Sequence, residues 1–223
     1  MRRALAAVLI VAGGLALADA AVTVAWQEPV SALQARRAQP RLRAELRALE
    51  LATPAPSGAQ RSAAAAASAR ALRARTSDGD AVARLRIPRI GLDAVVVRGT
   101  RPDDLRRAPG LFDATKLPGE RGTALIAGHR TTYGAPFRHI DRLRRGDRLT
   151  VSLPYGTFRY AVEGTRIVHP ADLRAIRTVG HSRLVLSACH PLYSAARRIL
   201  VYASLIGVGQ PAKALKRGVH DAR

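Results

Sequence analysis

From Val82 to Ile206 the chain is a succession of short Val-, Ile-, Leu- and Thr-rich runs, broken by Gly, Pro and Asp. Runs of this length and composition, bounded in this way, are strands. They cover Ala83–Ile87, Ala94–Val97, Thr123–Gly128, Arg148–Leu153, Gly156–Val168, Arg183–Ala188 and Ile199–Ser204. Leu117-Pro-Gly-Glu-Arg-Gly and Leu143-Arg-Arg-Gly-Asp read as turns. Pro102–Arg107 and Pro170–Ile176 read as short helices. Seven or eight strands with so few helices predict an all-β fold, a closed barrel of roughly 125 residues. Hydrophobic residues are 48% of the chain and aromatics only 4%, so the core is expected to rest on Val, Leu, Ile and Ala.

The first 81 residues have a different texture. Met1-Arg2-Arg3 is basic, and Ala4 to Trp26 is apolar apart from Asp19 and Thr23. Those 23 residues are long enough to span a bilayer. The preceding basic residues would keep the N-terminus inside and put the remainder outside. The alternative is a cleaved signal peptide, since Ala18-Asp19-Ala20 has the small-x-small form of a cleavage site. Both readings export the chain, and an uncleaved anchor over 1–26 is the expectation carried forward. Residues 27–81 read as a spacer, partly helical and partly disordered. Leu42, Leu46 and Leu49 fall at helical spacing, Thr53-Pro-Ala-Pro-Ser-Gly breaks any helix, and Ser62–Arg75 is Ala-rich. The domain proper is then 82–206, followed by a basic tail, 207–223, read as disordered.

The formal net charge is +21, which raises the question of a nucleic-acid partner. Its distribution argues against one. Gln27–Ser77 holds nine Arg against three Glu, and Val82–Ile206 holds twenty-two Lys plus Arg against nine acids, so the excess is spread along the chain. Binding to single strands also calls for aromatics interleaved with the basic residues, and few are present. A basic protein facing an anionic wall or lipid surface fits the same charge.

Three stretches could carry chemistry. Ala127-Gly128-His129-Arg130 follows an apolar run. Leu184-Val-Leu-Ser-Ala-Cys189-His-Pro leads another run into the only cysteine. Arg197-Arg198-Ile-Leu-Val-Tyr-Ala opens the last strand with a basic pair. Each places a reactive group at a strand end, where a rigid sheet can fix its position. A cysteine attacks as thiolate, an imidazole can protonate a leaving amine, and a guanidinium can stabilise an oxyanion. Together they point to acyl transfer through a thioester. Taken singly, each has a plainer reading: a turn histidine, a buried core cysteine, a solvated arginine. A lone cysteine can form no internal disulfide, and no acidic cluster has calcium-loop spacing, so neither metal nor cofactor is expected.

The ordered set Ile87-Pro88-Arg89-Ile90-Gly91-Leu92, Ala127-Gly128-His129-Arg130, Leu186-Ser-Ala-Cys189 and Arg198-Ile-Leu-Val resembles that of the sortases. The resemblance covers about Val82 to Ile206. Gly128-His-Arg-Thr-Thr-Tyr-Gly-Ala-Pro-Phe137 and Cys189-His-Pro-Leu-Tyr-Ser-Ala-Ala look most like class E sortases of actinobacteria. The resemblance implies an eight-stranded barrel and cleavage of a C-terminal sorting signal between Thr and Gly. The signal would be Leu-Ala-x-Thr-Gly more than Leu-Pro-x-Thr-Gly. It implies transfer to an amine, from a cell-wall precursor or a pilin lysine, with surface proteins bearing the signal as partners. By the same resemblance Cys189 is the nucleophile, His129 the general acid/base, and Arg198 the oxyanion and substrate contact. Arg198 is preferred to Arg197 because the family's arginine lies five residues before the strand's Ala, here Ala203. Ser187-Ala188 departs from the family's usual Thr before the Cys. Tyr133, Thr131 and Ser187 are the candidate substrate contacts. His190 would point to the side away from Cys189, and His139, His169, His181 and His220 read as surface or structural. A thiol hydrolase on the same fold and a basic, membrane-tethered wall-binding protein are the rival functions.

Overall fold

The computed structural model describes residues 13–14, 29–53 and 61–211. The expected anchor and most of the tail lie outside these, and among the described residues no helix is long and apolar enough to cross a membrane. Eight strands close a barrel in the order β1-β2-β3-β4-β7-β8-β6-β5. They are β1 (Ala81–Ile87), β2 (Leu92–Arg98), β3 (Gly110–Leu111), β4 (Gly122–Ala127), β5 (Arg148–Leu153), β6 (Gly156–Val168), β7 (Ser182–His190) and β8 (Arg197–Gly209). The pairs β2–β3 and β4–β7 are parallel and the others antiparallel.

Alternation along the strands sorts side chains into two clusters. Ala124 and Ile126 of β4, Leu184, Leu186 and Ala188 of β7, and Ile199, Val201 and Ala203 of β8 fill the barrel. The opposite parity faces outward. There Leu125, Val185, Leu200 and Tyr202 pack with Val168 and Ala175 into a second buried cluster. The outer face of β4, β7 and β8 is therefore covered rather than washed. Its cover is the β6–β7 connection, tied down where the Tyr202 hydroxyl donates to the Ala175 carbonyl at 3.0 Å.

Four features differ from the sequence expectations. The two-residue β3 carries no sequence signal of its own and exists because Gly110 and Leu111 pair with β2 on one side and β4 on the other. Strands β7 and β8 run further than their apolar cores, because ladder pairing continues through Cys189↔Arg198 and His190↔Arg197. The helix expected over 170–176 is a single 3-10 turn, Leu173–Ile176, with no side-chain cap. So short a segment cannot sustain an α-helix unaided.

The fourth difference is the expected spacer. It forms helix α1 (Pro29–Leu51) and helix α2 (Arg61–Arg75), and both are seated on the barrel. Leu42 and Leu46 of α1 are buried against Ala81, Val95, Val97 and Ala108. Ala69 and Leu72 of α2 join the main core. Arg98 stitches the end of α2 to β2: its Nη1 donates to the Arg73 carbonyl at 2.6 Å and its Nε to Asp113 Oδ1 at 3.1 Å. Helix α3 (Pro102–Arg107) links β2 to β3. Leu42 is 0% exposed, so Leu42→Ala is expected to lower unfolding free energy by about 2–4 kcal/mol. Denaturant titration checks this; a change near zero would mean that α1 does not hold to the barrel in solution.

Candidate active site

The parallel register of β4 on β7 sets Ala127 beside Ser187. The Gly128 amide extends it, donating to the Ser187 carbonyl at 3.0 Å. Two residues further along each strand direction come His129 and Cys189. On the other side of β7, Cys189 is paired directly with Arg198 of β8. Strand partners of this kind lie about 5 Å apart. Cys189 shares parity with Val185, and Arg198 with Leu200 and Tyr202, all on the outer face. Thiol and guanidinium thus come from adjacent strands on one face, and His129 follows two residues past the end of β4 on the other side of β7, completing a row of three. Arg197 and His190 belong to the opposite parity and pair with each other.

Gly128 lets the chain before His129 pass tightly against Phe137. A Cβ there would fall 2.7 Å from Phe137 Cδ2, so any side chain would displace the fully buried Phe137 ring. The loop then turns sharply, with Tyr133 at φ 50°, Gly134 at 73° and Ala135 at 41°. That left-handed run carries the Tyr133 ring back over His129, with centroids 4.9 Å apart and planes tilted by 45°. Thr132 Oγ1 lies 3.2 Å from His129 Nδ1, and His129 Nε2 is buried with no hydrogen-bond partner among the described residues.

The candidate substrate contacts fall around this row. Tyr133 is beside His129, Thr131 is half-buried in the same loop, and Ser187 lies on β7 two residues before Cys189 and on the same face. The half-buried Cys189 is a free thiol. Arg198 Nη1 donates to the carbonyls of Ala195 at 3.0 Å and Arg197 at 3.1 Å, which ties its guanidinium head to the β7–β8 turn. Beyond Arg198 in the sheet comes Val168, and past it an open cleft of about 460 Å³ lined by His169, Ala171, Asp172, Leu173 and Arg174.

Burial, and secondarily the positive charge of Arg106, holds the His129 imidazole below its usual pKa of 6.5. The ring is therefore neutral at pH 7, able to accept a proton from a thiol and return it. The unfolded chain binds a proton at this position near pH 6.5 and the folded chain only lower. Stability from this residue is thus complete above pH 6.5 and falls as pH drops below it toward the folded value. His139 is shifted in the same direction, so the wild type must be compared with His129→Gln. The variant is expected to lose less stability between pH 7.5 and 5.5, a difference read from urea midpoints; equal losses would place the buried imidazole elsewhere.

Two positions near the row were not singled out by the sequence. Arg130 is only 3% exposed and reaches four groups. It donates to the Cys189 carbonyl at 3.4 Å, to His190 Nδ1 at 3.0 Å and to the Arg138 carbonyl at 3.4 Å, and it pairs with Asp141 at 3.0 Å. Arginine has no acceptor atom, so His190 Nδ1 must accept, which commits that ring to Arg130 on the side away from the row. Ser31 of α1 is the second: its Oγ accepts the Tyr133 amide at 3.0 Å. In sequence Arg130 appears only as the residue after His129, with no role of its own, and Ser31 lies 102 residues from the loop it holds.

A Sortase domain family model matches residues 85–206. Sortase D of Bacillus subtilis (strain 168) is 34% identical over 133 residues, covering 57% of this chain and 65% of that protein. Sortase SrtE1 of Streptomyces coelicolor is 28% identical over 102 residues, covering 41% and 29%. The chain thus spans just under two thirds of the one relative and under a third of the other. The solved structure of sortase E from Streptomyces avermitilis superposes with a TM-score of 0.56 at 29% identity, covering 60% of this chain and 93% of that one. Sortase D5 from Clostridium perfringens, at 23% identity, shares the fold with a TM-score of 0.60, covering 78% and 98%. The matched segment runs from β1 into β8 and contains every strand of the His129–Cys189–Arg198 row; on a match over more than half its length, the chain belongs to the sortase family.

Proposed function

We propose that this chain is a transpeptidase that cleaves a C-terminal sorting signal between Thr and Gly and passes the acyl group to an amine. The observation that carries the reading is the single outer-face row of His129, Cys189 and Arg198, set by strand register. The Cys189 thiol attacks the Thr carbonyl while His129 takes the thiol proton. Arg198, directly across the ladder, stabilises the oxyanion. His129 then protonates the departing Gly amine, leaving a thioester. An incoming amine attacks that thioester, gives its proton to His129, and Cys189 leaves as thiol. The cleft beyond Arg198 is suited to the upstream residues of the signal. Tyr133 lies near enough to the row to shape a pocket for the signal's second residue, and Thr131 and Ser187 border the same face. The signal is of the Leu-Ala-x-Thr-Gly or Leu-Pro-x-Thr-Gly kind, and the amine belongs to a cell-wall precursor or a pilin lysine. The apolar run of residues 4–26 would hold the chain in the cell membrane with the barrel outside.

The test uses the full chain in detergent, because a fragment starting at Val82 would strip Leu42, Leu46, Ala69 and Leu72 from the packed interior. Peptides carrying either signal are incubated with the chain, with and without an added amine, and products are read by mass spectrometry. Cleavage at Thr–Gly with capture of the amine is the expected result. Cleavage with water as the only acceptor would make the chain a thiol hydrolase, and no cleavage of either peptide would refute the reading.

A further inference from the structure

Helix α1 has two faces with different commitments. Its inner stripe is used: Ser31, Ala35, Leu42 and Leu46 are buried, and Gln39 Oε1 accepts the Val95 amide at 3.0 Å. At 3.6 residues per turn the opposite stripe is Leu33, Pro40, Ala44, Arg47 and Leu51, all exposed. Leu33 is 47% and Leu51 78% exposed, so each end of the stripe presents a large apolar side chain to solvent. Arg36 flanks the stripe on one side and Arg37 and Arg41 on the other, all exposed, whereas Arg43 is turned to the barrel and donates to the Asp93 carbonyl at 3.4 Å. The only acids of α1 are Glu45 and Glu50. A stripe of Leu, Pro and Ala interrupted only by Arg47 and edged on both sides by arginine is the pattern of a helix that lies in a lipid interface. The arginines can turn their guanidinium heads to phosphates while their stems and the leucines reach toward acyl chains.

We propose that this outer face of α1 docks flat on an anionic lipid surface. The inference rests on the membrane placement proposed above, and chain length supplies its occupant. The apolar run ends at Trp26 and α1 begins at Pro29, three residues on. Three residues span at most about 10 Å. The start of α1 therefore cannot lie much further from the headgroups than the roughly 8–10 Å over which their charge is felt. Docked in this way, α1 also sets the height of the candidate active site, because Ser31 holds the Tyr133 amide from its inner stripe.

The test places a nitroxide on that stripe. Ala44→Cys is labelled in the full chain in a Cys189→Ala background, so that only one thiol is available. The chain is reconstituted into vesicles of phosphatidylcholine alone or of phosphatidylcholine with phosphatidylglycerol. Collisions of the label with oxygen and with a water-soluble nickel complex are then compared. In the anionic vesicles the oxygen-to-nickel ratio is expected to rise several-fold, and to fall back when Arg36, Arg37, Arg41 and Arg47 are all changed to Gln or when salt is raised. A ratio equal in the two lipids, or unmoved by the four substitutions, would overturn the docking. Alkaline extraction reports separately on the N-terminal anchor, so a chain that extracts refutes the anchor while the label still reads the face.

Discussion

Cys189→Ala should leave the fold intact and lower transpeptidation by on the order of a thousandfold or more. The two halves of that expectation have different sources. Cys189 is half-buried on the outer face and belongs to neither of the buried clusters that its strand helps to build. Its removal opens no closed cavity, so the melting temperature should move little, as for surface changes within about 0.5 kcal/mol. Activity is another matter, because the chain holds no other thiol that could form the thioester. Cys189→Ser sharpens the test. It keeps a nucleophilic atom at the same strand position but asks the neutral His129 imidazole to activate a far weaker acid. Serine should therefore be nearly as inactive as alanine. Single-turnover product formation and a circular dichroism melt on each variant decide the matter. Loss of activity with loss of fold would point to a structural cysteine, and activity within tenfold of wild type in either variant would remove Cys189 as nucleophile.

The barrel was readable from the sequence because its strands carry their own signal, and the site was readable as residues though not as geometry. Runs such as Thr123–Gly128 and Arg183–Ala188 are apolar on both faces, and the structure explains why: Leu125 and Val185 are covered by the β6–β7 connection while Ala124 and Leu184 fill the barrel. What could not be read is the parallel β4–β7 register, which aligns residues 60 apart in sequence and so brings the end of β4, just before His129, alongside the stretch of β7 that leads into Cys189. Nor do short apolar periodicities say what they pack against. Leu42 and Leu46 fall at helical spacing in a segment read as a spacer, yet two leucines suffice when β1 and β2 already offer Ala81, Val95 and Val97 as a surface. The same limit hid Arg130. Composition assigns an arginine to solvent by default, and only the folded loop shows four partners converging on one guanidinium.

Arg130 is the position at which the second large effect is expected. It touches none of the three reactive side-chain groups; it holds the backbone carbonyl of Cys189 and the ring of His190 while fixing the loop carbonyl of Arg138 and the carboxylate of Asp141. It is a positioning residue, tying the end of β7 to the loop that carries His129. Arg130→Ala leaves buried acceptors without a donor, at a cost of about 2–4 kcal/mol in stability. It should also lower kcat by on the order of ten- to a hundredfold with little change in KM, because the cleft proposed to take the peptide lies on the far side of Arg198 while the placement of thiol and imidazole is what loosens. Arg130→Lys separates charge from geometry. Lysine keeps the cation, but one ammonium cannot serve four acceptors arranged around a planar fork. It should therefore recover part of the stability and little of kcat. Measured below the melting temperature of each variant, kcat values that matched wild type would reduce Arg130 to a core residue. A recovery of kcat in the lysine variant would mean that its charge beneath Cys189, and not its grip on the two segments, is what the site uses.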